Sequence, residues 1–277
     1  MSSLIIVLLG VSSASFLFFA IIPESFLLGS ISMLVVMLVM CTNEKNKYSY
    51  LFYILANIAA LSVTVTNWMA GFIATFMRFP KKLAIEILKT TFIIVAILSA
   101  IQFKIFPSSE FFLFIGNEAQ YVFMEESGTF IDKLRVFFIS SFVIPELHAL
   151  PNPYAEAFPL FSIQTLRSQG VLTLNNLLAF SWLALLVYAA FIYYQSNKTQ
   201  TNNFLLYLII GQLCLHAIYG DETFLYSLHW MPFLVIFVAN IMLHHKQVWV
   251  KFAFLSFIGL QMISNLKQLQ IASNIIA

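Results

Sequence analysis

Long apolar runs, separated by short polar breaks, form most of this chain. A run of about 17–25 predominantly apolar residues is long enough to cross a lipid bilayer as an α-helix. Clear runs lie at 4–22, 25–41, 90–106, 173–194, 203–219, 229–243 and 249–266. No basic segment precedes the first run and no clear cleavage site follows it, so we expect a retained span and not a signal peptide. The pattern predicts an all-α, polytopic transmembrane helix bundle.

The apolar stretch 48–78 needs its own interpretation because it is too long for one ordinary span. Two threonines and Asn67 interrupt its middle. Basic residues flank both of its ends: Lys45, Lys47, Arg78, Lys81 and Lys82. Since Lys and Arg favour cytoplasmic loops, both ends are expected on the same side of the membrane. We predict a broken hairpin of helices 48–63 and 67–78; one long tilted helix is the alternative.

The basic residues also orient the whole bundle. With the hairpin, about nine crossings put most Lys and Arg residues in the cytoplasm and most acidic residues outside. The N-terminus is then cytoplasmic and the C-terminus extracytoplasmic. This topology divides the chain into three segments: N-terminal transmembrane helices at 1–106, an extracytoplasmic loop at 107–172 and C-terminal transmembrane helices at 173–277.

Composition supports lipid as the main solvent of the chain. Hydrophobic residues make up 61% of the 277 residues and charged residues only 9%, whereas soluble domains are about one quarter charged. The net charge of +2 supplies no basic field for nucleic acid, so we expect no nucleic-acid partner. Cys41 and Cys214 have no metal-ligand residues near them in the sequence, and we expect neither a disulfide nor a metal site there.

The loop 107–172 contains two features of its own. Residues 130–143 have the pattern of an amphipathic helix that lies in the membrane interface. Its apolar side is Phe130, Leu134, Phe137, Phe138 and Phe142, and its polar side is Asp132, Lys133 and Arg135. A Pro-rich segment, Pro145–Tyr154, follows, and we call it the strap. Because proline fixes φ and favours extended geometry in its neighbour, we expect the strap to be ordered and non-helical.

The segment 216–230 gathers the most ionisable and polar groups near one membrane edge. Its chemistry-bearing residues are His216, Asp221, Glu222, Tyr226 and His229. Gly220 permits a tight turn, and a helix starting there would align the second carboxylate, the tyrosine and the second histidine on one face. Such groups are costly in lipid and indicate a site for a phosphate, a sugar or a cation. The alternative is a helix start capped by Asp221 or Thr223, with the aromatic residues in an interface belt.

Polar residues occur at three further places. The strap carries Glu146, His148, Asn152 and Tyr154. These either line the same outer cavity or belong to a rigid loop on the helix ends. At the hairpin tip, Asn67 is expected to satisfy backbone groups freed by the break, in preference to contacting a ligand. His244 and His245 face different directions on a helix, so we expect lipid headgroups or the helix dipole there and not a metal.

Three segments carry a resemblance to known proteins: Thr66–Phe76, Pro145-Glu146 with Pro151-Asn152-Pro153, and Tyr219–Ser227. They resemble the later portion of bacterial multi-pass proteins that look similar to GT-C-type membrane glycosyltransferases. The resemblance spans most of residues 48–245. It implies transfer of a sugar from a polyprenyl-phosphate carrier at the extracytoplasmic face of a bacterial inner membrane.

The resemblance also implies roles for individual residues. In such chemistry a carboxylate deprotonates the acceptor or holds a divalent metal, and basic groups steady the leaving phosphate. The basic residues so implied are His148, Arg167, His216 and His229. Tyr154 and Tyr226 would stack on the sugar, and the Asp221–Glu222 turn would contact the lipid-linked donor. No catalytic residue is carried over, because the acid of that class lies in a large first outer loop and here that loop is only Pro23-Glu24-Ser25.

The short first loop leaves three hypotheses for the function. The first is a GT-C-like glycosyltransferase, or one half of one, whose catalytic acid lies on a second membrane chain or on a longer form of this one. The second is a non-catalytic membrane subunit that scaffolds a partner complex, which the short loop and the 30 Phe residues favour. The third is a transporter or channel, since many transporters contain broken helices at the bilayer midplane. Membrane lipids are partners in all three.

Overall fold

The fold is a set of helices, described by a computed structural model over residues 2–21, 26–42, 49–107, 128–145, 173–196, 199–220 and 223–276. Every regular element in these ranges is helical, which confirms the all-α fold class. The helices are α1 Ser2–Val11, α2 Ala14–Ile21, α3 Phe26–Thr42, α4 Ser49–Val63, α5 Trp68–Arg78, α6 Lys81–Ile105, α7 Phe130–Arg135, α8 Leu174–Gln195, α9 Gln200–Ile218, α10 Met231–His244 and α11 Val248–Ile276. Short 3₁₀ or π turns lie at Val65–Asn67, Val136–Ser140 and Thr223–His229.

Four of these helices are long and apolar enough to cross a bilayer: α6, α8, α9 and α11. The number rises to six if each of two bent pairs is one span, namely α1 with α2 and the turn Thr223–His229 with α10. Helices α3 and α4 are apolar but have only 17 and 15 residues. The chain is therefore an integral membrane protein with four to six candidate spans among the described residues. The count of nine crossings stays a prediction.

Two helices are longer than the apolar runs that predicted them. Helix α6 begins at Lys81, well before the predicted start at 90, and α11 ends at Ile276, beyond the predicted end at 266. An apolar run marks where lipid solvates the side chains, whereas backbone hydrogen bonding continues through flanking polar residues. The apolar run therefore underestimates the length of a helix that extends out of the lipid.

The chain forms two compact units that interleave along the sequence. The larger unit comprises Met1–Glu24, Phe123–Lys198 and Leu213–Ala277, and the smaller unit comprises Ser25–Val122 and Thr199–Gln212. The three consecutive segments expected from the sequence were defined by membrane topology and stay a prediction.

In the smaller unit the chain turns back between α4 and α5. Asn57 Nδ2 of α4 donates to Thr75 Oγ1 of α5 at 3.0 Å, although the two residues are 18 apart in sequence. Eighteen residues of one continuous helix would span about 27 Å, so only a folded-back chain brings these atoms together. This contact favours the hairpin and excludes the single long tilted helix.

In the larger unit the first predicted span, 4–22, is two helices and not one. Helix α1 ends at Val11 and α2 starts at Ala14, with a bend of 67° between them. The break frees backbone groups, and Ala14 N donates to Phe142 O at 2.9 Å. Non-helical backbone at membrane depth is tolerated where it is buried in protein and its polar groups are satisfied.

The amphipathic helix expected at 130–143 differs from the observed structure. Helix α7 continues into a π turn at Val136–Ser140. Phe137 and Phe142 are fully buried, whereas Phe130 is 57% exposed. Lys133, expected on the polar side, is only 7% exposed. The buried Phe137 and Phe142 agree with the expected apolar side, whereas the expectation is wrong for Phe130, which is exposed, and for Lys133, which is enclosed by protein.

Candidate functional site

Aromatic and imidazole rings cluster where α9 ends and α10 begins. His216 lies in the last turn of α9, and Tyr226 and His229 lie in the following 3₁₀ turn. The ring centroid of His216 is 5.0 Å from that of Tyr226 and 6.3 Å from that of His229. It is 4.9 Å from the ring of Trp230. We call these four residues the 216–230 cluster; it unites three of the predicted site residues with a tryptophan that was not among them.

The two imidazoles of the cluster are enclosed by protein. His216 is 2% exposed and His229 is 3% exposed. Tyr226 is half-buried. A ligand that approaches the cluster therefore reaches the tyrosine before either histidine. Both histidine rings pack against the tyrosine ring.

Gly220 connects α9 to the cluster in a conformation that favours glycine. Its φ is +99°, a region that residues with a Cβ rarely adopt. A Cβ added at this position would lie 2.8 Å from Tyr226 Cε2, which is closer than van der Waals contact. Both the backbone conformation and the close approach of the ring therefore require glycine here, as the sequence predicted for a tight turn.

The turn Thr223–His229 is a 3₁₀ helix and not the expected α-helix. Residues three apart superpose in a 3₁₀ helix, and the rings of Tyr226 and His229 accordingly lie 6.1 Å apart. The expected proximity of Tyr226 and His229 is therefore present, and the alignment of Glu222 with them lies outside the described residues.

Lys133 supports the end of α9 beside the cluster. Its Nζ donates to Ala217 O at 3.2 Å, in the turn where helix carbonyls have no intrahelical partner. A cation is favourable at this end of a helix. Burial lowers the pKa of Lys133 from its ordinary value, because leaving water disfavours the ammonium form. Lys133, His216 and Thr223 line the same narrow crevice.

Two tryptophans hold the π turn in place. Trp230 Nε1 donates to Phe137 O at 3.0 Å, and the two rings stack at 4.5 Å and 13°. Trp182 Nε1 donates to Phe138 O at 2.8 Å. A π turn departs from the regular hydrogen-bond ladder, and these indole N–H groups bind its carbonyls. The cluster is therefore attached to the π turn through Trp230.

Six predicted site residues lie outside the described residues: Asp221, Glu222, Glu146, His148, Tyr154 and Arg167. The roles expected for them stay predictions. The Asp221–Glu222 pair is nevertheless bracketed in the chain by two described residues, Gly220 and Thr223. Thr223 is 1% exposed.

A second buried polar network in the larger unit was not predicted from the sequence. Asn265 Oδ1 of α11 accepts from Ile144 N at 2.9 Å. Its Nδ2 donates to Ser12 O at 2.8 Å and to Phe142 O at 3.0 Å. Gln261 Nε2 also donates to Phe142 O, at 2.8 Å. Side-chain amides of α11 thus satisfy the backbone at the α1–α2 break and after the π turn.

The amino-terminal end of α8 extends this network. Asn175 Nδ2 donates to Ile144 O at 2.9 Å, and Ser264 Oγ donates to Asn175 Oδ1 at 2.7 Å. The sequence does carry a signal for it: polar residues recur on an otherwise apolar helix at Gln261, Ser264, Asn265 and Gln268. Such spacing puts them on one face, and a polar face within a span indicates a buried polar partner.

In the hairpin, Asn57 and not Asn67 forms the side-chain hydrogen bonds that link the two helices. Asn57 Oδ1 accepts from Trp68 Nε1 at 2.9 Å, and its Nδ2 donates to Thr75 Oγ1 and to Tyr53 O. Asn67 is fully buried, and among the described residues neither of its amide atoms has a hydrogen-bond partner. The expectation that its side chain satisfies the freed backbone is therefore wrong.

The remaining comparisons concern metals and known proteins. In the described ranges, no three His, Cys, Asp or Glu side chains converge as a metal site would require. Comparison of the chain with protein families, with curated proteins and with solved structures finds no match. The geometry of the 216–230 cluster is therefore the basis for its functional interpretation.

Proposed function

We propose that this chain is part of a GT-C-like membrane glycosyltransferase that uses a polyprenyl-phosphate-linked sugar. About nine crossings, with the N-terminus cytoplasmic, would put the turn between α9 and α10 at the extracytoplasmic face of a bacterial inner membrane. In the reaction the bond from the sugar C1 to the phosphate oxygen breaks and a bond from C1 to an acceptor oxygen forms. The phosphate leaves with the bonding electrons, and a carboxylate outside the short first loop takes the acceptor proton.

The observation that supports this proposal is the close packing of Gly220 and Tyr226, which are neighbours in sequence of Asp221 and Glu222. On one side stands Gly220, held at φ +99° against the ring of Tyr226. On the other side stands the buried Thr223. A binding site needs side chains whose positions are set before the ligand arrives, because ordering them on binding lowers the affinity. The half-buried ring of Tyr226 offers a face on which a sugar can stack.

A non-catalytic membrane subunit is the second candidate, and the burial of the histidines favours it. His216 and His229 were expected to donate to a phosphate, yet they are 2% and 3% exposed. Buried groups with ring contacts on several sides are typical of a structural cluster. On this hypothesis the 216–230 cluster shapes a surface for a second membrane chain and the carboxylates are solvated charges.

The glycosyltransferase and the non-catalytic subunit predict different amounts of transferred sugar when one carboxylate is neutralised. We expect Glu222→Gln, expressed in the native host, to lower the transferred sugar by about tenfold or more, because a charged hydrogen bond to the donor is lost. Asp221→Asn tests the neighbouring carboxylate in the same way. Mass spectrometry of lipid-linked and cell-envelope glycans measures the product.

Glu86→Gln is the matched control, since Glu86 is an exposed acid on α6 outside the turn. Its glycans should equal those of the wild type, and all variants should accumulate to the same protein level. Normal glycans in both carboxylate variants at normal protein levels would contradict the glycosyltransferase proposal. Loss of a co-purifying membrane chain in those same variants would instead support the subunit.

A further inference from the structure

An apolar groove opens between α8, α10 and α11 within the larger unit. Its volume is about 580 Å³, which is within the range of small-molecule sites. Two small residues, Ala184 and Ala253, leave the space, and Phe257 forms part of the wall. Ser181 Oγ already donates to Leu177 O at 2.7 Å, so its hydroxyl adds little polarity. The body of the groove therefore suits a hydrocarbon chain.

One end of the groove is polar. Tyr188 Oη and His245 Nε2 lie 2.6 Å apart, and their rings are nearly parallel at 13°. Tyr188 is 39% exposed and His245 is half-buried, so both remain within reach of a ligand. A phosphate oxygen placed beside the pair can accept a hydrogen bond from the tyrosine hydroxyl or from the imidazole.

The charge around this end is positive. Lys246 follows His245 directly and is exposed, and Lys251 comes one turn into α11. No Asp or Glu occurs anywhere in 173–220 or 223–277, so α8, α9, α10 and α11 carry no negative side chain. Basic residues beside a membrane helix attract anionic lipid headgroups. The polar end thus complements a negative ligand, and the groove complements an apolar one.

We propose that this groove binds an anionic glycerophospholipid of the surrounding bilayer. One acyl chain lies along the apolar walls, and the phosphate contacts the Tyr188–His245 pair and Lys246. A zwitterionic lipid could place its acyl chain in the groove, but the basic residues at the polar end would repel the cationic group of its headgroup. The site lies apart from the 216–230 cluster and does not depend on the proposed glycosyl transfer.

The lipid can be tested on the purified protein in detergent. Phosphatidylglycerol and phosphatidylcholine with identical acyl chains are titrated separately, and native mass spectrometry counts the bound lipid. Phosphatidylglycerol should bind about tenfold more tightly, and the double variant Tyr188→Phe with Lys246→Gln should remove that preference. Ala253→Phe, which fills the groove from an exposed position, should weaken the binding of both lipids.

Two control variants match these changes. Ala190→Phe adds the same ring at an exposed position of α8 that does not line the groove. Lys89→Gln removes an exposed lysine of α6. Both should bind phosphatidylglycerol as the wild type does. Equal binding of the two lipids by the wild type would overturn the headgroup assignment, and unchanged binding by Ala253→Phe would overturn the groove. Full competition by inorganic phosphate alone would show an anion site without a lipid chain and would also overturn the proposal.

Discussion

Two broken helices in this chain satisfy their freed backbone groups in different ways. A break exposes N–H and C=O groups, and each is costly to leave unsatisfied away from water. At the break between α1 and α2, Ser12 O accepts from the side chain of Asn265, 253 residues away in sequence. At the break between α4 and α5, Asn67 N donates to Thr64 O at 3.1 Å within a 3₁₀ turn. The freed backbone groups of the first break thus bind segments that are distant in sequence, whereas the second break is nearly self-sufficient because its own turn supplies the partner.

The two breaks therefore differ in the residues on which their stability depends. The α1–α2 break is held by side chains from another helix, so its stability is coupled to the packing of the larger unit. The α4–α5 break needs only a short turn, and the nearby Asn57 links the two helices without binding the turn itself. We therefore expect substitutions at the first break to have large effects and those at the second to be smaller and local.

The largest effect is expected at Asn265. In Asn265→Leu, Ile144 N and Ser12 O lose the hydrogen bonds that the amide supplies, so the free energy of unfolding should fall by about 3 kcal/mol. Thermal unfolding of the purified protein in detergent measures the change. Asn274→Leu, at an exposed position of the same helix, should leave the midpoint unchanged. An equal and small effect of both variants would show that the α1–α2 break does not depend on α11.

The next effect concerns the close approach of α5 to Asn57. A Cβ at Gly71 would overlap the Asn57 amide, so Gly71→Ala should destabilise the hairpin by about 2 kcal/mol through overpacking. In an Asn57→Ala background the overlap is absent, so Gly71→Ala should lower the free energy of unfolding by much less. The double-mutant cycle, measured by thermal unfolding, reports this coupling.

Gly259→Ala is the control for the cycle. A Cβ at Gly259 meets no atom of the described residues within 4 Å, so alanine there should be neutral or should stabilise α11 by about 0.5–1 kcal/mol through its helix propensity. If Gly71→Ala were as harmless as Gly259→Ala, the hairpin would not be packed through Asn57.

The two breaks also explain how much of this molecule could be predicted. The break near Asn67 was predicted because its threonines and asparagine are adjacent in the sequence, and the flanking basic residues indicated a return of the chain. The break after Val11 was missed because Ser12 and Ser13 look unremarkable in an apolar run. The α11 residues that bind Ser12 lie far away in sequence, and single-sequence periodicity carries no information about which helices meet.

The candidate site shows the same limit to what a single sequence can predict. Gly220, Tyr226 and His229 were identified because they are close in sequence, and the structure brings the rings together. Sequence could not show that the histidines are enclosed, because burial depends on Trp230 and on the π turn that packs against it. Residues that build the site locally are visible in the sequence, whereas those that determine its exposure are not.

Apart from the control variants, the smallest expected effect has the opposite sign and is at Asn67. Its amide is fully buried and has no hydrogen-bond partner in the part of the chain that the structure describes, so it loses water without regaining a bond. Asn67→Leu keeps the branching of the side chain and removes both polar atoms, so stability should rise by about 1 kcal/mol. Asn57→Leu, which loses real hydrogen bonds in the same hairpin, should lower it. If thermal unfolding shows that both substitutions destabilise, Asn67 binds a water or a polar ligand, and the second break is no more self-sufficient than the first.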